Sequence, residues 1–321
     1  MRRADFLKGL AAASFAPAIA RAQGAWPDKQ IRMVIPFAPG GTTDLLARAV
    51  AQHMNEAWGQ PVIADNKAGA NGVVAAEIVA KAAPDGYTLS VVAMGHAINP
   101  LLYKKLPYDG TADFTPISLL GTFPQLVLVH PNVPARTLGE LIALAKSSPK
   151  PLTYGSGGNG SSQHLAGALF AHMAGLKMTH VAYKGGNPAQ LDLMAGNLDM
   201  MIIQPNAKEV VTSGKLRALA VSSAKRSADY PDVPTVDEAG VKGYQSVAWY
   251  GLVGPKSLPP ELLKKISDET IKACTSSGVR NVISTQGGDV VGGTPAEFTS
   301  FIVAERQRYE TIVRESGMTA E

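Results

Sequence analysis

Residues 31–44 read IRMVIPFAPGGTTD, and the fold follows from this stretch. Ile31, Met33 and Ile35 alternate with Arg32 and Val34 until Pro36 stops the run, the pattern of a short strand. Pro39, Gly40 and Gly41 follow at once, and Thr42, Thr43 or Asp44 can cap the helix that starts there. Leu45, Leu46, Val50 and Met54 form its apolar stripe. The unit is strand, glycine-rich turn, helix. Unpaired amides at such a helix start point above the strand end, where an anion fits without a cationic side chain. The same glycines also serve a plain strand-to-helix turn, where they only relieve backbone strain.

The same unit recurs along the chain. Strands are predicted at Pro61–Ala64 and Tyr87–Met94, with a helix over 73–83 between them and a polar loop from Gly95 to Asn99. Ile117–Leu120 and Gln125–Val129 read as two strands, the second a passage into another domain. Thr137 opens a helix with Glu140 at the capping-box position. The strand ending at Gly155 runs into Ser156-Gly157-Gly158-Asn159-Gly160-Ser161-Ser162-Gln163-His164. Residues 183–188 repeat the theme, and Met200–Ile203 ends in Gln204-Pro205-Asn206. Val247–Val253 is a return strand, and Pro259-Pro260 opens the first of three closing helices. Repeated αβ units fit open α/β sheets, whose loops at strand ends form the crevice. An interrupted first set of units with a helical return gives two lobes, a hinge of two crossings and a cleft between them. The expected division is an export segment over 1–22, lobe 1 from 23–126 plus 249–321, and lobe 2 from 127–248.

Composition limits the function. The 321 residues are 45% hydrophobic and 17% charged, with 32 glycines and 22 prolines, which suits two domains with a sizeable core. The formal charge is +4, but Arg2, Arg3, Lys8 and Arg21 against Asp5 account for most of it, and the rest of the chain carries +1. A nucleic-acid partner loses its compositional support. The basic start, the apolar run Gly9–Ala20 and Ala20-Arg21-Ala22 read as an export signal cut before Gln23. The arginine pair resembles a twin-arginine signal with one residue too many before Phe6, so the export route stays open. No other stretch reaches the length of a membrane span, so no direct membrane insertion is expected. Cys274 is the only cysteine, which rules out an internal disulfide, and no lipid-anchor cysteine follows the signal. The expected setting is the periplasm, and the expected state a monomer.

Catalytic and cofactor readings fail. Gly155-x-Gly157-x-x-Gly160 formally matches a dinucleotide loop, but no acidic residue follows where a ribose would need one. Among the six histidines, His164 and His172 are eight apart and make no zinc pair. Ser156 and Ser161 lack the spacing of a nucleophile elbow, and a helix cap or simple donor is the blander reading of Ser161 and Ser162. No catalytic residue, metal site or cofactor is expected. The candidate ligand contacts are Phe37, Pro39, Gly40, Gly41, Thr42, Thr43, His96, Phe123, Gly158, Asn159, Ser161, Ser162, His164, Lys184, Gln204, Asn206 and Trp249, and Tyr250 lies beside the last. For His96 a solvated loop position, and for Trp249 ordinary core packing, are the competing readings. Carboxylate anchoring is expected from the amides of Gly40 and Gly41 and a hydroxyl of Thr42 or Thr43, with Gly158 to Ser162 at the other end.

A family resemblance covers essentially the whole chain after the export segment. Its motifs are Trp26-Pro27-Asp28-Lys29, residues 31–44, Pro84-Asp85-Gly86-Tyr87-Thr88-Leu89, Asn99-Pro100, Leu106-Pro107-Tyr108-Asp109 and Asp113-Phe114. Tyr154-Gly155-Ser156, Gly160-Ser161, His164-Leu165-Ala166-Gly167, Tyr183-Lys184-Gly185, residues 214–220, Pro231-Asp232-Val233-Pro234-Thr235 and Gly292-Gly293-Thr294-Pro295 continue the series. Together they resemble the substrate-binding proteins of tripartite tricarboxylate transporters, the Bordetella uptake group. The resemblance implies a two-lobed, type II-like periplasmic binding fold of αβ sandwiches that captures a small organic acid and delivers it to membrane permease subunits. Many members carry an Asp before the asparagine at Gln204-Pro205-Asn206. Its absence disfavours amino acids and leaves dicarboxylates, hydroxy acids or aromatic acids. A ligand sensor for a receptor kinase and an exported serine hydrolase are the alternatives.

Overall fold

The computed structural model describes residues 26–204, 208–316 and 318–319. The export segment expected over 1–22 and the expected contact Asn206 lie outside the described residues. The first sheet starts from β1 (Ile31–Ile35), α1 (Thr42–Trp58), β2 (Val62–Asn66), a short 3-10 turn at Ala70–Gly72, α2 (Val73–Ala80), β3 (Thr88–Ala93) and α3 (Gly95–Leu102). β4 (Phe114–Pro124) leads directly to β5 (Leu126–Val129) in the second sheet. There follow α4 (Leu138–Ser147), β6 (Leu152–Ser156), α5 (Ser162–Ala174), β7 (Met178–Ala182), α6 (Gly186–Met194), β8 (Met200–Ile203), α7 (Lys208–Thr212) and β9 (Arg217–Val221). The chain returns through β10 (Val247–Pro255) to α8 (Pro260–Thr275), α9 (Ser277–Thr285), β11 (Asp289–Val290) and α10 (Pro295–Ser316).

The two sheets are mixed. One has the order β11-β4-β10-β3-β1-β2, the other β7-β6-β8-β5-β9. β1 is parallel to both β2 and β3, and β6 to both β7 and β8. β10 and β5 run antiparallel to their neighbours because they belong to the crossings. Helices cover both faces, so β1 is apolar on each. Ile31, Met33 and Ile35 face α1 and α8, while Val34 joins the cluster of α2 and α10. This is a bilobed α/β fold.

Two readings of local structure change. The predicted strand at Ile117–Leu120 is part of the eleven-residue β4, because β10 pairs with it along its whole length. Pro116 is tolerated there because β11 covers the outer side of β4 only at Gly121 and Thr122. The predicted loop at Gly95–Asn99 is the helix α3, which buries Ala97, Ile98 and Leu102 despite Pro100 inside it.

At the crossing the segments are stitched by serines. The Gln125 N–H donates to Ser222 Oγ at 2.8 Å, and the Gln125 carbonyl accepts from the Ser222 N–H at 2.8 Å. Ser246 donates its N–H to the Ser222 carbonyl at 2.9 Å, and its hydroxyl meets Tyr309 Oη of α10 at 2.8 Å. α10 packs on β4 and α3 and also reaches α5, so it spans both sheets.

Candidate functional site

The β6–α5 loop touches the 3-10 turn that follows β2, and that turn shares a cavity wall with Pro36 and Phe37 of the β1–α1 loop. Asn71 donates from Nδ2 to the Gly160 carbonyl at 3.0 Å, joining the 3-10 turn below the first sheet to the second loop. Asn71 is held by a reciprocal pair of bonds with Asn99, both 3.1 Å, and adopts a left-handed φ of 50°. That conformation costs an asparagine less than most residues. None of Asn66, Asn71 and Asn99 is among the predicted contacts. The only signal was that asparagines recur in glycine-rich turns.

In the first loop Pro39, Gly40 and Gly41 are exposed and Phe37 is half-buried. Gly41, and none of the expected side chains, occupies the N-cap of α1. Asp44, only 3% exposed, folds back to accept the Gly40 N–H at 3.0 Å, Asn66 Nδ2 at 2.9 Å and Arg48 Nε at 3.0 Å. Burial alone would raise its pKa, but the bonds from Arg48, Gly40 and Asn66 together hold the carboxyl below the usual carboxylate range. The expected Gly40 amide is therefore taken by Asp44. The amides of Gly41, Thr42 and Thr43, at the N-cap and first turn of α1, have no partner within the helix. Thr42 Oγ1 donates to Gln286 Oε1 at 2.9 Å, and Thr43 is buried.

The second loop is built on uncharged groups. Ser161 is the N-cap of α5, its Oγ accepting the His164 N–H at 3.3 Å. The Gly160 N–H donates to His164 Nδ1 at 3.1 Å, which places the imidazole proton on Nε2. His164 stacks on His180 with centroids 3.7 Å apart and planes 8° apart. Burial lowers the pKa of both, to about 3 for His164, where His180 adds to the effect, and to about 4 for His180. Ser156 Oγ accepts the Gly158 N–H at 3.1 Å and meets His180 Nε2 at 2.6 Å. The amides of Gly158, Gly160 and Ser161, expected to meet a ligand, are thus spent inside the loop. Those of Asn159, Ser162 and Gln163 remain. His164, a predicted contact, is 6% exposed and shapes the loop from beneath.

The Ser156–His180 contact has the look of a nucleophile and base. Ser156 is 0% exposed, His180 is a weak base at neutral pH, and no carboxylate bonds the imidazole among the described residues. The geometry that activates a serine is missing. Among the described residues no cluster of three His, Cys, Asp or Glu could hold a metal, and no helix is long and apolar enough to cross a membrane.

The alternation of one strand decides which aromatic reaches the cleft. Trp249 is 0% exposed and packs edge-on to Phe298 and Phe301, so core packing takes the expected wall residue. Its neighbour Tyr250 points the other way, its hydroxyl facing Gln204, Thr42 and Thr43; burial raises its pKa and these polar neighbours oppose the rise. Phe123, also at 0%, lies edge-to-face behind Tyr250 at 5.0 Å. His96 is buried in α3 against Phe114, which removes the solvated loop reading, and burial with nearby Arg306 lowers its pKa to about 4. With Phe37, Asn71, Asn99 and Tyr108 it lines a cavity of about 20 Å³, room for one water. Lys184 is exposed in the loop after β7, where Gly185 N–H bonds the Gly157 carbonyl at 3.2 Å.

Two αβ lobes joined by crossing strands, each with a glycine-rich loop opening a helix at a strand end, are the architecture of a solute-binding protein. Known proteins agree. The model of the tripartite tricarboxylate transporter family receptor matches residues 46–318. The protein BugT of Bordetella pertussis is 35% identical over 295 residues, covering 91% of this chain and 90% of its own. Among solved structures, Rpa4515 of R. palustris with adipate superposes with a TM-score of 0.83 at 35% identity, covering 92% of this chain and 99% of that one. MatC from Rhodopseudomonas palustris with bound malate gives 0.79 at 34%, covering 89% and 99%. The chain belongs to the tripartite tricarboxylate transporter receptor family of periplasmic binding proteins, which bind without converting their ligand.

Proposed function

We propose that the protein captures a small organic acid between its lobes and hands it to the membrane permease subunits of a tripartite tricarboxylate transporter. The observation that carries this reading is the pairing of the two loops. Each opens a helix, each keeps helix-start amides for a ligand, and the 3-10 turn beside Phe37 of the first loop bonds the second loop through Asn71. One carboxylate sits at the amides of Gly41, Thr42 and Thr43, beside Phe37 and Pro39. The other end of the acid meets Asn159 and Ser162, with Gln204 and Tyr250 beneath. Arg48, in the second turn of α1, is engaged by Asp44, so anchoring comes from oriented amides. A hydrogen bond to a charged group is worth roughly 1.5–3 kcal/mol, and closure strengthens each by excluding water. The relatives solved with adipate and malate support an acid as ligand.

The working division is lobe 1 from 23–126 with 249–321 and lobe 2 from 127–248, with the end of α10 leaning on α5 of lobe 2. Titration calorimetry with malate, succinate, adipate and benzoate tests the ligand class, and saturable binding by at least one is expected. Binding only of neutral sugars or cationic amines would refute it. Co-purification from solubilised membranes with and without the bound acid tests delivery. Capture of a receptor kinase in place of a permease would favour the sensor reading.

A further inference from the structure

The crossing between the sheets holds one glutamine, Gln125, whose whole side-chain amide lacks a partner among the described residues, and a second, Gln204, whose Nε2 lacks one. β5 and β8 are antiparallel with Leu126 opposite Ile203. The register continued by one residue sets Gln125 opposite Gln204, and residues so opposed share a face. Gln125 is 0% exposed and Gln204 6%. Among the described residues neither Oε1 nor Nε2 of Gln125 has a hydrogen-bond partner, and neither does Nε2 of Gln204. The backbone of Gln125 is fully engaged through Ser222, so the residue is ordered while its amide is idle. Buried polar atoms are nearly always paired, and three orphans at one crossing need an explanation. Their position supplies it. Gln204 faces the Tyr250 hydroxyl, which also faces Thr42 and Thr43 at the start of α1. Gln204 therefore lies beside the start of α1, with Gln125 opposite it at the crossing.

We infer that Gln125 and Gln204 form a subsite for a hydroxyl group on the carbon chain of the bound acid, which makes the preferred ligand a hydroxy acid. This rests on the organic-acid reading above. The amide of Gln125 offers one acceptor and two donors. A hydroxyl is the smallest group that donates to Oε1 and accepts from Nε2 together. A carboxylate only accepts, so it would leave Oε1 facing negative charge. An ammonium only donates, and it would find no carboxylate here. A methylene leaves all three polar atoms bare. Sites built to hydrogen-bond a ligand hydroxyl discriminate against the analogue lacking it, because the site's own groups are then left unpaired.

The test is calorimetric titration with matched pairs, malate against succinate and 3-hydroxyadipate against adipate. In the pair whose length fits the cleft, the hydroxylated acid should bind about ten-fold or more tighter. Gln125→Leu should bring that ratio close to one while holding succinate or adipate within about three-fold. Gln204→Leu should likewise bring the ratio close to one if Gln125→Leu fails to fold, whatever it does to affinity overall, and the ratio in the unmodified protein stands without either. Acids that bind with no preference for the hydroxyl would overturn the subsite and leave the organic-acid reading standing, because water would then be filling the amides. A preference that survives both substitutions would also overturn it. Failure of every acid to bind would overturn both readings.

Discussion

The two cleft loops share one secondary-structure plan and hold their shape by opposite means. In the β1–α1 loop a buried carboxylate, Asp44, gathers the Gly40 amide, Asn66 and Arg48. In the β6–α5 loop two stacked neutral imidazoles and two serine hydroxyls gather the amides of Gly158, Gly160 and His164. The charged loop is expected to resist opening more, because bonds to an ionised group are about twice as strong as neutral ones. The neutral loop is the one that acid can loosen. The lesson is that a glycine-rich helix start does not by itself report how many amides a ligand will find. In each loop the protein consumes some of them to fix the rest.

The comparison breaks most visibly at Asp44. Asp44→Ala leaves the Gly40 N–H and Asn66 without an acceptor and Arg48 without its ion pair, and should destabilise the protein by about 2–4 kcal/mol in a urea melt. Ser156→Ala in the other loop should cost about 1–2 kcal/mol. A larger loss from Ser156→Ala would reverse the ranking.

Gly160→Ala is next. Gly160 has φ +73°, and a Cβ there would sit 2.6 Å from Leu102 Cδ1 and 2.9 Å from Asn71 Nδ2, both across the cleft. Acid affinity should fall about ten-fold, through strain of roughly 1–2 kcal/mol and a wedge against closure. Small-angle scattering should show a larger radius at saturating acid than in the unmodified protein. An unchanged radius and affinity would mean that the lobes do not meet there when ligand binds.

Asn71→Ala removes the bond to Gly160, one of the direct bonds between the lobes, without adding bulk. About 1 kcal/mol, or a five-fold loss of acid affinity, is expected by calorimetry. Gain of affinity would place Asn71 as an obstacle to closure.

The loops also differ in their response to acid. The imidazoles of His164 and His180 have pKa values of about 3 and 4 in the ordered loop, against about 6.5 when the loop opens. The opened loop therefore binds protons first, and the stabilisation is complete above about pH 6.5 and is lost as pH falls toward 4. Asp44 has the opposite sign of charge. Its lowered pKa gives stability that is present above its ordinary value of 3.8 and is lost only below it. At pH 5 the amides of Gly158 and Gly160 should exchange with solvent at least about ten-fold faster, relative to the intrinsic rate, than at pH 7, while the Gly40 amide keeps its protection. Equal loss in both loops would contradict the division between them.

Much of this arrangement is legible in the sequence. Alternation to Pro36 followed by Pro39-Gly40-Gly41 locates β1 and α1, and the same pattern locates β6 and α5. The reading of Ser161 as a helix cap follows from its type and place. What the sequence hides are the contacts made by folding back or across. Asp44 reads as a helix residue until Gly40, with φ +88°, turns the loop onto it. His164 and His180 are linked only through the parallel register that puts Tyr154 beside His180. Whether Trp249 or Tyr250 faces the cleft depends on the phase of β10, which short-range pattern does not give when every residue of the strand is buried. Gln125 is a single polar residue in an apolar run, and only the pairing of β5 with β8 brings it to Gln204.

The most direct test of the account is a crystal structure of the protein grown with malate. The account predicts one carboxylate within about 3 Å of the amides of Thr42 or Thr43 and the other end within reach of Asn159 or Ser162, with the Asn71–Gly160 bond intact. Malate held by one loop alone with the lobes apart, or bound outside the cleft, would contradict it.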